Sequence, residues 1–330
     1  MKYLKLIFLA LIIIGFSNSL KAGIWRVNNN PGIDADFNNL QTAVNDANVV
    51  AGDTLLIEGS SLSYGSSISI SKKLILLGTG YFLSENPETQ ANPANAYAGQ
   101  VSINSGAEGS VISGLTLNTI NINTSNTVIM RCRIISYIIL YNNASNVTII
   151  QNYFENDPNY NIYLYTSSSN VLIVNNIFNK VNGVSINSTT TATAIVQNNV
   201  FSGASTIRLY NSVFANNILN GNSIDFTGCS VLNNLCNATQ LPTGNGNQLN
   251  INMNTVFVGS GSTDGQWQLK TGSPAIGAGT NGEDCGAFGG TSIYILSGLP
   301  QIPAIYFYSA PVSGSALQGL PVHIKILSHN

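Results

Sequence analysis

Apolar and polar positions alternate in a short motif that returns along the middle of the chain. It reads V-T-I-I-Q-N-Y-F (Val147 to Phe154), V-L-I-V-N-N-I-F (Val171 to Phe178), A-I-V-Q-N-N-V-F (Ala194 to Phe201), S-V-F-A-N-N-I-L (Ser212 to Leu219) and S-V-L-N-N-L-C (Ser230 to Cys236). Aligning the second polar residue gives the column Leu115, Cys132, Asn152, Asn176, Asn199, Asn217 and Asn234, with steps of 17 to 24 residues. Two positions on runs a second column, Leu117, Ile134, Phe154, Phe178, Phe201, Leu219 and Cys236. Between the motifs a further apolar pair recurs: Ile120/Ile122, Ile138/Leu140, Ile162/Leu164, Val184/Ile186, Ile207/Leu209 and Ile224/Phe226. Each pair alternates with polar or aromatic neighbours, as a strand of period two does.

Two short strands in a coil of about 20 residues, with loops of variable length and no helical periodicity, predict a parallel β-helix in which each coil stacks on the last. A β-sandwich or propeller requires longer strands and hairpin turn signals that are sparse here. Stacking makes sense of the Asn column. Asn tolerates the left-handed conformation at a bend, and its amide both donates and accepts. Buried amides without partners cost several kcal/mol each. A ladder of Asn152, Asn176, Asn199, Asn217 and Asn234 satisfies them mutually, with Phe154, Phe178 and Phe201 stacked behind it.

The stack needs caps, because its terminal strands expose open edges. D-A-D-F-N-N-L-Q-T-A-V-N-D-A (Asp34 to Ala47) places Phe37, Leu40 and Val44 on one face of a short helix, with Asp36 expected as N-cap. G-D-T-L-L-I (Gly52 to Ile57) and K-K-L-I-L-L-G (Lys72 to Gly78) read as the first strands, and residues 81–100 as a loop excursion. The run F-N-N-L-Q-T-A-V-N-D-A followed by G-D-T-L-L-I resembles the opening of right-handed parallel β-helix proteins of the pectin-lyase-like superfamily. The segment L-K-T-G-S-P-A-I-G-A-G-T-N-G-E-D-C-G-A-F-G-G (Leu269 to Gly290) resembles their closing motif. The resemblance spans most of residues 24–290.

It implies an all-β, single-stranded right-handed parallel β-helix (solenoid) with a short N-terminal capping helix. The expected organisation is a β-helix domain over 23–290, with its N-terminal cap at 33–50 and closing motif at 269–290, and an extended C-terminal tail over 291–330. The tail carries Pro300, Pro303, Pro311 and Pro321 among apolar runs. Outward positions Tyr153, Ile177, Val200, Ile218 and Leu235 form an apolar stripe that the tail or a partner is expected to cover.

Residues 1–22 read as a bacterial secretory signal peptide: Lys2 and Lys5, an apolar run from Leu6 to Phe16, then Leu20-Lys21-Ala22. The expected location is secreted, periplasmic or cell surface, and the chain is not expected to be transmembrane after cleavage. Cleavage leaves nine basic against 14 acidic residues. With no basic run longer than Lys72-Lys73, nucleic acid is not an expected partner. Export permits disulfides, and the spacing of Cys229 and Cys236 allows a short loop, but Cys132 and Cys236 fall in core columns and are expected as buried thiols.

Chemistry is scarce. Between residues 111 and 254 the charged residues are Arg131, Arg133, Glu155, Asp157, Lys180, Arg208 and Asp225, and both histidines, His323 and His329, lie in the tail. That removes a Ser-His-Asp or His-metal arrangement from the repeats. Glycoside hydrolysis needs two carboxyl groups flanking one bond. Glu155 and Asp157 are instead expected in a turn, or paired with Arg131 or Arg133 one coil earlier. The superfamily's lyases use a calcium cluster of acids with an Arg or Lys base; here no two acids occupy consecutive coils of one column, although Arg208 or Lys180 is nominally a base.

Outward positions of the second strand are more suggestive. One column holds Asn121, Ile139, Tyr163, Ser185, Arg208 and Asp225; the next holds Asn123, Tyr141, Tyr165, Asn187, Tyr210 and Thr227. Flat aromatic faces beside amide and guanidinium groups suit sugar rings. Tyr141, Tyr163, Tyr165, Asn187, Arg208, Tyr210 and Asp225 are therefore the candidate glycan-binding residues, although aromatic stacking also stabilises strands without any ligand. The expected function is that of a non-catalytic, exported protein binding or presenting a polysaccharide or other cell-envelope component. The alternatives are a polysaccharide lyase or glycoside hydrolase, and a structural or adhesive spacer. No cofactor or metal is expected; calcium enters only under the lyase alternative.

Overall fold

The computed structural model describes residues 22–141, 144–155, 157–315, 317 and 319–328. The expected signal peptide, except Ala22, and His329 lie outside the described residues. The described chain is an all-β parallel solenoid of about nine turns. Its registration follows the repeat: Ile149 lies over Ile173, then Val196, Phe214 and Val231. Phe154 lies over Phe178, Phe201, Leu219 and Cys236 in the same way.

Each motif contains two strands rather than one, so the later coils have three strands where the sequence suggested two. Val171–Val174 belongs to a ten-stranded sheet, while Ile177–Asn179 belongs to a second sheet that also contains Val184–Ser188. The break between them is a single left-handed residue. Gly114, Arg131, Gln151, Asn175, Asn198, Asn216 and Asn233 have φ between 52° and 70°. This corrects the expectation for the ladder asparagines: the bend is made by the residue before each of them. A left-handed residue redirects the chain from one sheet to the next and delivers the following amide into the interior. Asn bears that conformation more easily than most residues.

The two asparagines of each N-N pair therefore have different duties. The second builds the ladder. Asn199 Oδ1 accepts from the backbone N of Asn176 at 2.9 Å and from its Nδ2 at 3.0 Å. The same double contact joins Asn152 to Asn176, Asn199 to Asn217 and Asn217 to Asn234. It runs one rung further than the sequence suggested, to Asn247, whose Oδ1 accepts both Asn234 bonds at 3.0 Å. The first asparagine faces outward and clips the closing segment. Asn175 Nδ2 donates to Ala287 O and Gly289 O at 3.0 and 2.8 Å, Asn198 Nδ2 to Asp284 O at 2.9 Å, and Asn233 Nδ2 to Ala278 O at 3.2 Å.

That closing segment covers the apolar stripe. Tyr153, Ile177, Val200, Ile218 and Leu235 are buried in a second core with Val256, Phe257, Ala275, Cys285, Ala287 and Tyr294. Tyr294 and Leu296 apart, the cover comes from before residue 291, so most of the role expected of the tail or a partner falls to the closing segment. The loop excursion helps to fasten it: Tyr81 and Tyr294 share a buried 2.6 Å hydroxyl contact, and Asn86 Nδ2 donates to buried Asp264 at 2.9 Å. Beyond it, Pro303–Ser309 and His323–Ser328 pair as an antiparallel hairpin.

The N-terminal helix is Leu40–Asn45, and its N-cap is Asn39, whose Oδ1 accepts from Thr42 N at 3.0 Å. Asp36, the expected cap, instead accepts from the backbone N of Arg26 at 2.7 Å. Leu40 and Val44 are buried, whereas Phe37 is half-exposed against Trp25. Gln41 accepts from Ser69 N at 2.6 Å and donates to Ser69 O at 3.2 Å, closing part of the open edge of strand Ser67–Ile70. All four cysteines are free thiols, so no Cys229–Cys236 loop forms. Burial pushes the Cys132 and Cys285 thiols up to about 12, which keeps them protonated and unreactive.

Asp53 ties the first coil together. Its carboxylate accepts from Gly23 N at 2.7 Å, Trp25 Nε1 at 2.8 Å and Val50 N at 2.9 Å. Burial alone would raise its pKa, but the bonds from Trp25, Gly23 and Val50 together outweigh it and hold the carboxyl below its ordinary value. A depressed carboxyl contributes stability above its unfolded-state pKa, about 3.9, that is lost as pH falls through the folded value. Asp53→Asn is expected to lose on the order of 1–3 kcal/mol at neutral pH. Its stability is also expected to fall less steeply than the wild type's below about pH 4. Urea unfolding at neutral and acid pH measures both effects; parallel pH profiles would refute the role given to the charge.

Candidate functional site

The outward side chains of the second strand row come from Arg133–Leu140, Tyr160–Leu164, Val184–Ser188, Thr206–Tyr210 and Ser223–Thr227. Period-two alternation sends Ile138, Ile162, Ile186 and Ile207 into the core, all fully buried. Of their outward neighbours, Tyr163, Asn187 and Arg208 are half-exposed, whereas Ile139 is buried. Ile139, Tyr163, Asn187, Arg208 and Asp225 form one column of the register. This corrects the whole coil: Asn187 follows Tyr163 rather than Tyr165, in the place expected of Ser185, and Ile186 and Ser188, not Val184 and Ile186, follow Ile162 and Leu164. A register shift between Val184 and Ile186 explains the difference. It turns Ser185 inward, where it is fully buried and its hydroxyl lies 2.6 Å from that of Ser205. An inserted residue of this kind leaves no mark in the apolar spacing.

The tyrosines meet as continuous rings. Tyr141 and Tyr165 are stacked with centroids 5.4 Å apart and planes 8° from parallel. Tyr165 touches Tyr163 at 4.5 Å, Tyr163 touches Tyr160 at 5.1 Å, and Tyr160 touches Tyr137 at 5.3 Å. Tyr137 and Tyr160 were not among the candidates from sequence. Tyr160 is two positions before buried Ile162, so simple alternation assigns it to the core; at the strand entrance it is half-exposed instead. Tyr137 has the same parity as Ile139 and needed only a third outward position to be read in each coil. Burial, and then the neighbouring tyrosine hydroxyls, raise the pKa of the Tyr160 phenol, which keeps it a neutral donor.

One end of the aromatic group adjoins a polar cluster. Arg208 Nε donates to Asp225 Oδ2 at 2.7 Å, and Nη1 donates to Asn187 Oδ1 at 3.3 Å. The Asp225 bond is the main reason that the Arg208 pKa is raised above its ordinary value. Tyr210 is half-exposed and pairs in register with Thr227. Beyond the other end, exposed amides continue the face: Asn123 Nδ2 donates to Asn104 Oδ1 at 3.0 Å, and Asn104 Nδ2 to Ser69 Oγ at 3.0 Å.

The acids of the repeats have structural partners. Glu155 accepts from Arg133 Nε at 2.6 Å, while Arg131 is buried and donates to Gln151 Oε1 and Leu299 O. Asp157 accepts from the Ser136 hydroxyl and from Asn159 N, and its carbonyl accepts from the buried Lys180 ammonium. Burial lowers the Lys180 pKa. Neither nominal base stands beside a second acid poised for chemistry. Among the described residues, no group of three or more His, Cys, Asp or Glu side chains is placed to hold a metal ion. No helix of the described residues is long and apolar enough to cross a membrane. No protein-family profile matches the chain, and no curated protein matches it significantly.

Proposed function

We propose that this is an exported bacterial solenoid of the pectin-lyase-like kind that binds or presents a polysaccharide on its tyrosine face without cleaving it. The resemblance of Phe37 to Ile57 and Leu269 to Gly290 to that superfamily supports the lineage. One observation carries the binding role: five tyrosines in unbroken ring contact lie next to an amide, guanidinium and carboxylate cluster on one exposed face. Ring faces offer contact to sugar C–H groups, and the polar cluster offers directional donors and acceptors. Because Asp225 already holds Arg208, uncharged glycans fit this face better than uronates.

Affinity electrophoresis on neutral and acidic polysaccharides tests the reading. Retention by at least one neutral polymer is expected, weakened about tenfold or more by the pair Tyr163→Ala and Tyr165→Ala, since each aromatic contact contributes on the order of 1 kcal/mol. Unchanged migration of that variant on every retaining polymer would remove the proposal. New reducing ends or unsaturated uronate absorbance, with or without calcium, would replace it with the enzymatic alternative.

A further inference from the structure

The ten-stranded sheet has an outer face that the closing segment leaves uncovered. Its outward positions include Val128, Met130, Ile150, Leu172, Val174 and Ile195, with Leu172 37% and Ile195 41% exposed. From Thr54 to Leu232 no outward position of this sheet is charged. Amides rim the strip on one side: Asn146 Nδ2 donates to Asn126 Oδ1 at 3.1 Å and Asn170 Nδ2 to Asn146 Oδ1 at 3.2 Å, all three residues exposed. Gln197, Asn198, Glu283 and Ser292 line its other side. An apolar centre within a polar rim is the anatomy of a protein interface.

We infer that this face docks a second copy of the chain, sheet against sheet, about a twofold axis. Ten strands about 4.8 Å apart extend roughly 40 Å, and three to four residues across give a width of about 10–13 Å. Two such faces together bury on the order of 1,000 Å², the area at which stable interfaces begin. On each copy the strip is about 400–500 Å², the size of the largest and often functional apolar patches of soluble proteins. The choice of partner follows from the corrugation. Side chains rise in rows at the coil spacing, and a surface with the same period over the same length is another copy of this sheet. Flat sheets of equal spacing interdigitate about 10 Å apart. A face that pairs with itself makes a closed dimer rather than a filament. Uncharged, and with the Thr148 hydroxyl as the hydrogen-bonding side chain between Val128 and Leu172, the strip offers a glycan little to grip.

Sedimentation equilibrium of the full chain over a range of concentrations should give twice the chain mass. Leu172→Lys with Ile195→Lys should raise the dimer dissociation constant about a hundredfold or more by burying unpaired charge, with an unchanged far-ultraviolet circular dichroism spectrum. Thr148→Lys adds a charge to the same face without removing apolar packing, and should have the same effect if the double variant folds poorly. Tyr163→Ala should leave the mass unaltered. A wild-type chain that is monomeric at every concentration overturns the inference, as does a dimer indifferent to Thr148→Lys.

Discussion

Asn199→Asp, a change of almost no volume, is expected to cost about 3–5 kcal/mol at neutral pH, the range for an uncompensated buried charge. Asn199 is fully buried, and its Nδ2 donates to Ile173 O at 2.8 Å, Gln197 O at 3.0 Å and Asn217 Oδ1 at 3.0 Å. Three acceptors converge on one donor. A carboxylate oxygen in its place meets three partial negative charges in a site without water. Its other oxygen still accepts from Asn176, so the loss is confined to the donor side. Burial raises the folded-state pKa of such a carboxyl above its unfolded value of about 3.9. The penalty is therefore absent below the unfolded value and grows as pH rises through the interval between the two.

Chemical denaturation at neutral pH and near pH 4 should thus show the deficit shrinking on acidification, because the protonated acid again donates. A deficit independent of pH would mean that shape, not donor chemistry, sustains the column. Asn247 supplies an internal comparison. It ends the ladder half-exposed, and its Nδ2 donates to Val231 O and Pro242 O at 3.1 and 3.2 Å. Water reaches that site, so Asn247→Asp should cost much less.

The ladder was legible because its spacing is tied to the one element that repeats with little variation, the corner between two sheets. Its last rung was not. Asn247 follows Asn234 by 13 residues in a G-N-G-N loop and lacks the apolar flanks of the motif. The left-handed residue was misassigned by one place, since N-N offers two identical side chains and only the fold separates the outward clip from the inward rung. The tyrosine face was legible through alternation, and the error at Ser185 and Asn187 arose where a register shift breaks that alternation. The cover over Tyr153, Ile177, Val200, Ile218 and Leu235 could not be read at all. Its contacts join residues far apart in sequence: apolar side chains of a loop segment that carries no period pack on the stripe, and backbone carbonyls of the same segment accept from the outward asparagines.

The second large effect should follow removal of a ring from the middle of the interior stack. Phe154, Phe178 and Phe201 are fully buried, with centroids 4.6 Å apart at both steps and planes within 5° and 9° of parallel. Phe178→Ala is expected to cost about 3–5 kcal/mol, near the top of the range for its class. The size of that penalty depends on how far the surroundings collapse, and here they cannot. The coils above and below Phe178 are fixed by parallel pairing through Phe154 and Phe201 and by the amide ladder two residues away. Neither ring can slide into the gap without breaking those bonds. In a solenoid each coil contacts only its neighbours, so the deficit falls on the two interfaces that Phe178 makes rather than on the whole molecule. Amide hydrogen exchange should accordingly quicken most in Tyr153–Phe154, Ile177–Asn179 and Val200–Ser202, with less change in Thr54–Ile57. Phe214 meets Phe201 at a tilted 5.9 Å contact nearer the end of the stack, and Phe214→Ala should cost less. Equal losses at the two positions, or uniform quickening along the chain, would show that the solenoid unfolds as one unit and that local stacking does not set its weakest point.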